Sequence, residues 1–235
     1  MGNDSYIALL VPGHLPRELE NAFHLSIGSL VIDIVNTTPE NEWLTAAYLI
    51  SEAINEYSDF KKKVTISMPF HNEERLYHIL SHMANCPIHS IRVHNISSSG
   101  ELDRFESILQ DTLPMNQSTC IELVVDHIKA LESLEQICSR SKRIHAVIPG
   151  AYALLYSMSD EKRRRGILMD MKKRIVGCAN ALGLKAIDST YVNYLDADKF
   201  EHDCRVSNEM GFIGRTFVHP SQINKFYKMQ GGTLS

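Results

Sequence analysis

Glu122 is the first residue in this chain whose type and setting suggest chemistry. It interrupts Thr119 to His127, TCIELVVDH, an apolar run otherwise suited to a buried strand. A carboxylate in such a run must be paired, bound to a metal or placed at a strand end, because removing it from water without compensation is costly. Two readings stand side by side: a site carboxylate, or a structural one held by a neighbouring Lys or Arg. Asp126 and His127, just beyond it, could supply acid-base chemistry, although Asp126 reads more simply as the cap of a helix starting at Ile128. His78 and His82 are four apart and could grip one metal ion, yet Leu76, Ile79, Leu80 and Met83 form the apolar face, so a solvated helix face explains the pair. The basic residues Lys162 to Arg165, with Lys172, Lys173 and Arg174 further on, could meet coenzyme A phosphates or an acidic partner. A solvated helix face accounts for them equally.

Positioning such residues takes a scaffold, and the chain shows a repeating one. Tyr6 to Val11, Leu30 to Val35, Val64 to Met68, Ser90 to Val93, the Thr119 to His127 stretch, Ile144 to Ile148, Ala186-Ile187 and Thr216 to Val218 read as strands. Between them lie helical patterns: one opened by Pro16, one capped by Thr38 with Pro39 at its first position, then about 73–84, 100–109, 128–138, 160–182 after a Ser159 cap, 197–210 capped by Asp196, and a last one after Pro220. Eight strands alternating with helices predict a parallel sheet, and that number at 235 residues favours a single-domain (β/α)8 TIM barrel spanning 1–235 over an open doubly wound sheet. No G-x-G-x-x-G or P-loop pattern supports the open form. In a barrel the active residues sit at the C-terminal ends of the strands and in the loops that follow. That rule selects Pro12, Gly13, Asp33, Asn36, Ser67, His94, Asn95, Glu122, Gly150, Asp188 and His219. A hydrogen-bonded turn is the simpler role for His219 before Pro220.

Composition narrows the function. With 24 basic and 28 acidic residues the net charge is −4, so no general attraction to nucleic acid or anionic membrane is expected, and the basic run lacks an aromatic platform. No apolar run approaches the roughly 18 residues of a membrane helix. The five cysteines are scattered without a C-x-x-C arrangement, and the first residues show no signal-peptide pattern; both suit reduced thiols in a cytoplasm.

The stretch CANALGLKAIDSTYVNYLDADKFEHDCRVSNEMGFIGRTFVHPSQI closely resembles the citrate lyase β-subunit-like family of metal-dependent barrel lyases and aldolases, and LLVPGHLPRELENAF resembles the same family's first strand and loop. The resemblance implies cleavage or formation of a carbon-carbon bond beside a carbonyl, in an acyl-coenzyme A or 2-oxo acid substrate, usually by a homo-oligomer. It implies Mg²⁺ stabilising the enolate, with Glu122 as the metal ligand, and of the residues that the strand-end rule selects, Pro12, Gly13, Asp33, Asn36, Gly150 and Asp188 are expected around the substrate. The chain departs from the family at several positions. Ala153 stands where a second metal aspartate is expected, Asp33-Ile34-Val35-Asn36 replaces an Asp-x-Glu-Asp pattern, and Ser67 lies where an Arg-x-Asn pattern would end strand three. One carboxylate rarely holds Mg²⁺ alone, so a non-catalytic relative binding a metabolite or partner protein is the alternative reading.

Overall fold

Strands and helices alternate along the chain, as its periodicity predicts. The computed structural model describes residues 5–113, 118–151 and 160–230. Its strands are β1 (Tyr6–Pro12), β2 (Ser29–Asp33), β3 (Lys63–Pro69), β4 (Ser90–His94), β5 (Cys120–Val125), β6 (Ile144–Pro149), β7 (Lys185–Ala186) and β8 (Gly214–Phe217). The helices are α1 (Pro16–His24), α2 (Trp43–Glu56), α3 (Glu73–His82), α4 (Ser99–Thr112), α5 (Ile128–Glu132), α6 (Leu134–Arg140), α7 (Glu161–Leu182), α8 (Ala197–Met210) and α9 (Pro220–Met229). The strand order is β7-β6-β5-β4-β3-β2-β1-β8, and the paired neighbours are parallel. β7 meets β8 through one parallel bridge, Asp188 to Arg215, where the Asp188 N–H donates to the Gly214 carbonyl at 2.8 Å. The sheet thereby closes into a (β/α)8 barrel whose seam is its shortest strand.

Side chains alternate across each strand, which sorts the barrel into two layers. Leu9, Val11, Ile32, Ile66, Met68, Ile91, Val93, Ile121 and Leu123 face outward and share one core with Leu19, Phe23, Ile50, Leu76 and Phe105 of the helices. The inner positions hold a smaller apolar group, Val124, Ala146, Ile148 and Ile187 with Tyr6 against it, and a run of buried polar residues that includes Thr65, Ser67, Arg92, Glu122 and Thr216.

Local differences from the sequence expectations have physical causes. Thr38 does not cap α2: a 3-10 turn, Glu40–Glu42, leads into the helix, and the Thr38 hydroxyl donates instead to the Asp33 carbonyl at 3.4 Å. The helix expected over 128–138 is broken at Ser133 into α5 and α6. The Ser159 cap and Ala153 lie outside the described residues. Asp196 caps α8 as expected, accepting the Lys199 N–H at 3.2 Å, and His219 caps α9 with its ring while Gln222 closes a capping box. α7 ends at Gly183 with φ +67°, a left-handed turn that glycine adopts without strain, and the Leu184 N–H then reaches the Ala179 carbonyl.

β8 begins two residues earlier than its apolar pattern, at Gly214, which pairs with Tyr6. A Cβ on Gly214 would lie 1.9 Å from the Tyr6 carbonyl oxygen, a contact only backbone movement can relieve. Gly214→Ala is therefore expected to separate β1 from β8 and cost more than about 3 kcal/mol, read as a lower urea midpoint at unchanged slope.

Candidate active site

A pocket of about 280 Å³ opens where the strands end, lined by Asp33, Asn36, Ser67, Arg92, His94, Asp126, Gly150, Ser189 and Thr190, with Leu10, Val124, Ile148, Pro149, Ala151, Val192 and Val218 as its apolar wall. Concave sites of this kind, apolar with a few converging polar groups, are the usual form of small-molecule sites. A hollow of about 310 Å³ at the start of β8 has Arg215 as its one charged lining residue.

The polar side of the pocket is a connected chain of side chains from β2 to β5. Asp33, the last residue of β2, accepts the N–H groups of Asn36 (2.8 Å) and Thr37 (2.9 Å) on Oδ2, so the chain wraps back over the carboxylate as it leaves the strand. Its Oδ1 accepts from Asn36 Nδ2 at 3.3 Å and from the Ser67 hydroxyl at 2.9 Å. Ser67 Oγ lies 3.2 Å from His94 Nε2, and His94 Nδ1 lies 3.4 Å from Asp126 Oδ2. Asp126 in turn accepts the Asn95 N–H at 3.1 Å, presented by a residue at φ +64°, a conformation asparagine tolerates. Asp126 is thus not the helix cap that its position suggests. His127 caps α5, its Nδ1 accepting the Lys129 N–H at 3.2 Å, which leaves Asp126 in the pocket.

Glu122 lies deeper. It is fully buried, and its carboxylate receives Arg92 Nε at 2.8 Å and Arg92 Nη2 at 2.7 Å on Oε2. On Oε1 it receives Tyr6 Oη at 3.1 Å, Ser90 Oγ at 3.2 Å and Thr65 Oγ1 at 3.4 Å. Burial by itself raises the carboxyl pKa, but the Arg92 guanidinium and the nearby His145 outweigh it and hold the group down at about 2. Arg92 bridges this layer to the pocket: its Nη1 donates to Thr216 Oγ1 at 2.9 Å and its Nη2 to Tyr6 Oη at 3.0 Å, while the side chain lines the pocket floor. Of the five guanidinium N–H groups, the bonds to Glu122, Tyr6 and Thr216 use four, leaving one without a partner among the described residues.

This geometry decides how the expected site residues are used. Asp33, Asn36 and Gly150 line the pocket as predicted, as do Ser67 and His94. A Cβ on Gly150 would come 2.5 Å from Asp126 Cβ, so glycine is what lets β6 end against Asp126. Pro12 and Gly13 are not among the lining residues; Gly13 instead packs under the mouth, its N–H donating to the Asp33 carbonyl at 3.0 Å. Asp188 does not face the substrate space either. It is buried between Lys172 Nζ at 2.8 Å and Arg215 Nη2 at 2.9 Å, and Arg215 also holds Asp203 at 2.5 Å. Glu122, the candidate metal ligand, meets Arg92 and is not among the pocket-lining residues.

The described donors do not fit the Mg²⁺ that the resemblance implies. Glu122 is clamped by a guanidinium and Asp33 by four donors, which leaves Asp126, beside His94 and the Asn95 N–H, as the one described pocket carboxylate without such a clamp, and one carboxylate rarely holds Mg²⁺. Adding Mg²⁺ to millimolar levels is therefore expected to move the melting temperature by less than about 1 °C, since only a ligand that binds the folded state stabilises it. His78 and His82 are exposed on α3, on the side away from Leu76, Ile79 and Leu80. Among the described residues no helix is long and apolar enough to cross a membrane.

Sequence reasoning missed Arg92 and Tyr6. The signal was available in the alternation of β4, Ser90-Ile91-Arg92-Val93-His94, which puts a cation on the same face as His94.

Comparison with known proteins agrees with this architecture. The chain is 22% identical to citrate lyase subunit beta of Leuconostoc mesenteroides subsp. cremoris, over 96% of this chain and 76% of that protein. It is also 22% identical to a (3S)-malyl-CoA thioesterase of Cereibacter sphaeroides, over 92% of this chain and 73% of the relative. The structure of the M. tuberculosis citrate lyase beta subunit complexed with oxaloacetate and magnesium superposes with a TM-score of 0.76 over 92% of each chain at 16% identity, a likeness of fold. A family model, HpcH/HpaI aldolase/citrate lyase, matches residues 7–220. With nearly the whole barrel inside that match, the chain belongs to the HpcH/HpaI aldolase/citrate lyase family.

Proposed function

We propose that the chain is a citrate lyase β-like carbon-carbon lyase or aldolase, acting at the barrel mouth on a small acyl thioester or 2-oxo acid. The observation that carries the reading is His94, held between Ser67 and Asp126 at the edge of a pocket whose floor is Arg92. Retro-aldol cleavage needs a base to take the hydroxyl proton and a positive group where enolate charge develops. His94 is the group placed to move the proton. Arg92, with one N–H left over, meets the oxyanion or a substrate carboxylate.

The relatives support the substrate class. One is named for a coenzyme A ester, and a CitE protein of M. tuberculosis was solved with magnesium, acetoacetate and coenzyme A. A pocket of about 280 Å³ suits the acyl part alone, with the coenzyme outside it. Magnesium is not carried over, because the donors among the described residues do not suit it. The same reading makes the protein a cytoplasmic homo-oligomer, in keeping with five cysteines that form no disulfide with one another.

The test is release of a 2-oxo acid or acyl-coenzyme A from a panel of β-hydroxyacyl thioesters and 4-hydroxy-2-oxo acids. Turnover is expected, and His94→Gln should lower kcat about 100-fold or more with the melting temperature little changed. Saturable binding of these compounds without turnover would establish the second reading, a metabolite-binding relative.

A further inference from the structure

Three of the residues that line the mouth have the connectivity of a nucleophile, a base and a group that orients the base. Ser67, His94 and Asp126 come from the ends of the neighbouring strands β3, β4 and β5, and each lines the same pocket. Ser67 Oγ is 3.2 Å from His94 Nε2, and the other ring nitrogen, Nδ1, is 3.4 Å from Asp126 Oδ2. Asp126 is fixed by the Asn95 N–H, so the imidazole lies between the Ser67 hydroxyl and a held carboxylate. In the tautomer with the proton on Nδ1, that N–H is on the side of the Asp126 carboxylate, at ion-pair distance, and Nε2 is left to accept the serine proton, the arrangement by which a serine is made nucleophilic.

We propose that this constellation is an acyl-transfer centre that hydrolyses small activated esters and thioesters through an acyl-Ser67 intermediate. The activity is separate from carbon-carbon cleavage and does not require it. Asp33 also lies within reach of the Ser67 hydroxyl, at 2.9 Å, but its two oxygens already accept two backbone N–H groups and the Asn36 side chain. The hydroxyl proton can therefore turn from Asp33 to His94 without leaving a bare carboxylate.

The steps balance without any further reactant than water. Ser67 Oγ attacks the acyl carbon as its proton passes to His94 Nε2. The tetrahedral adduct collapses, the carbon-sulfur bond breaks, and the thiolate leaves with the proton from His94. Water then attacks the acyl-serine ester, gives a proton to His94, and the carbon-oxygen bond to Ser67 breaks as Oγ takes that proton back. The sum is thioester plus water giving acid plus thiol. Arg92, with its remaining N–H at the pocket floor, supplies positive charge near the adduct's oxyanion. Ser67 is almost fully buried, so the centre admits short acyl groups that reach the floor.

The experiment uses the full chain with two probes, p-nitrophenyl acetate and a methyl fluorophosphonate. Expected are a burst of nitrophenolate and a single covalent adduct mapped to Ser67. The labelling rate should fall at least 100-fold in His94→Gln and at least 10-fold in Asp126→Asn, and Ser67→Ala should carry no adduct. A wild-type protein that melts cooperatively yet shows no adduct on Ser67 overturns the proposal, whatever the variants do. So does labelling of Ser67 that is indifferent to His94→Gln. Because the adduct is read by mass, carbon-carbon lyase turnover could be absent while this centre works, or present while it fails.

Discussion

Arg92→Met is expected to destabilise the protein by about 3–5 kcal/mol, because it strands the Glu122 carboxylate in the barrel interior without its cation. Glu122 would keep the hydroxyls of Tyr6, Ser90 and Thr65, but hydroxyls alone do not balance a buried charge. Urea unfolding followed by circular dichroism reads the loss directly. The double variant Arg92→Met with Glu122→Leu should recover most of it, since removing both partners leaves no uncompensated charge. The pair also gives acid stability a definite shape. The folded carboxyl is held down at about 2, below its ordinary 4.5. A depressed carboxylate contributes stability that is fully present above its unfolded value and lost as the pH falls through the folded one. The urea midpoint should therefore decline between about pH 4.5 and pH 2, and Arg92→Met should flatten that decline.

The second large effect is expected at the seam. Asp188→Asn removes the carboxylate shared by Lys172 and Arg215, both nearly buried, and leaves Arg215 only Asp203. The cost should again be about 3–5 kcal/mol. Hydrogen exchange would locate it: amides of 185–188 and 214–217 should lose protection before those of β3 and β4. Adding Lys172→Met to Asp188→Asn should restore part of the stability, because the unpaired ammonium is then gone.

The barrel was legible in the sequence because most of the strands are short apolar runs stopped by Pro, Gly or Asn, and helical patterns with apolar stripes lie between them. β8 shows where that logic fails. Its first residue is a glycine, which reads as a loop, yet only a residue without Cβ lets β1 pass so close. The site was legible in outline: Asp33, Asn36, Ser67, His94 and Gly150 follow from the rule that strand ends carry function. Depth was not legible. Glu122, Val124 and Asp126 share one face of the same stretch, so periodicity cannot say which acid reaches the mouth. The apolar surroundings of Glu122 drew attention to it, although the cation it meets, Arg92, sits 30 residues away and reaches it only across two neighbouring strands. The surroundings of Asp188 were illegible for the same reason, since its partner Arg215 joins it only on ring closure.

The two-residue β7 runs through Asp188 straight into Ser189, Thr190 and Val192, which form one wall of the mouth. The weakest stave of the barrel and that wall of the pocket are thus one continuous stretch of chain. A ligand that touches the wall is expected to steady the seam, and by linkage any such stabilisation must equal the binding free energy lost when the seam is loosened. Occupancy can accordingly be read without any chemical turnover, as slower amide exchange at 185–188 when a ligand is added.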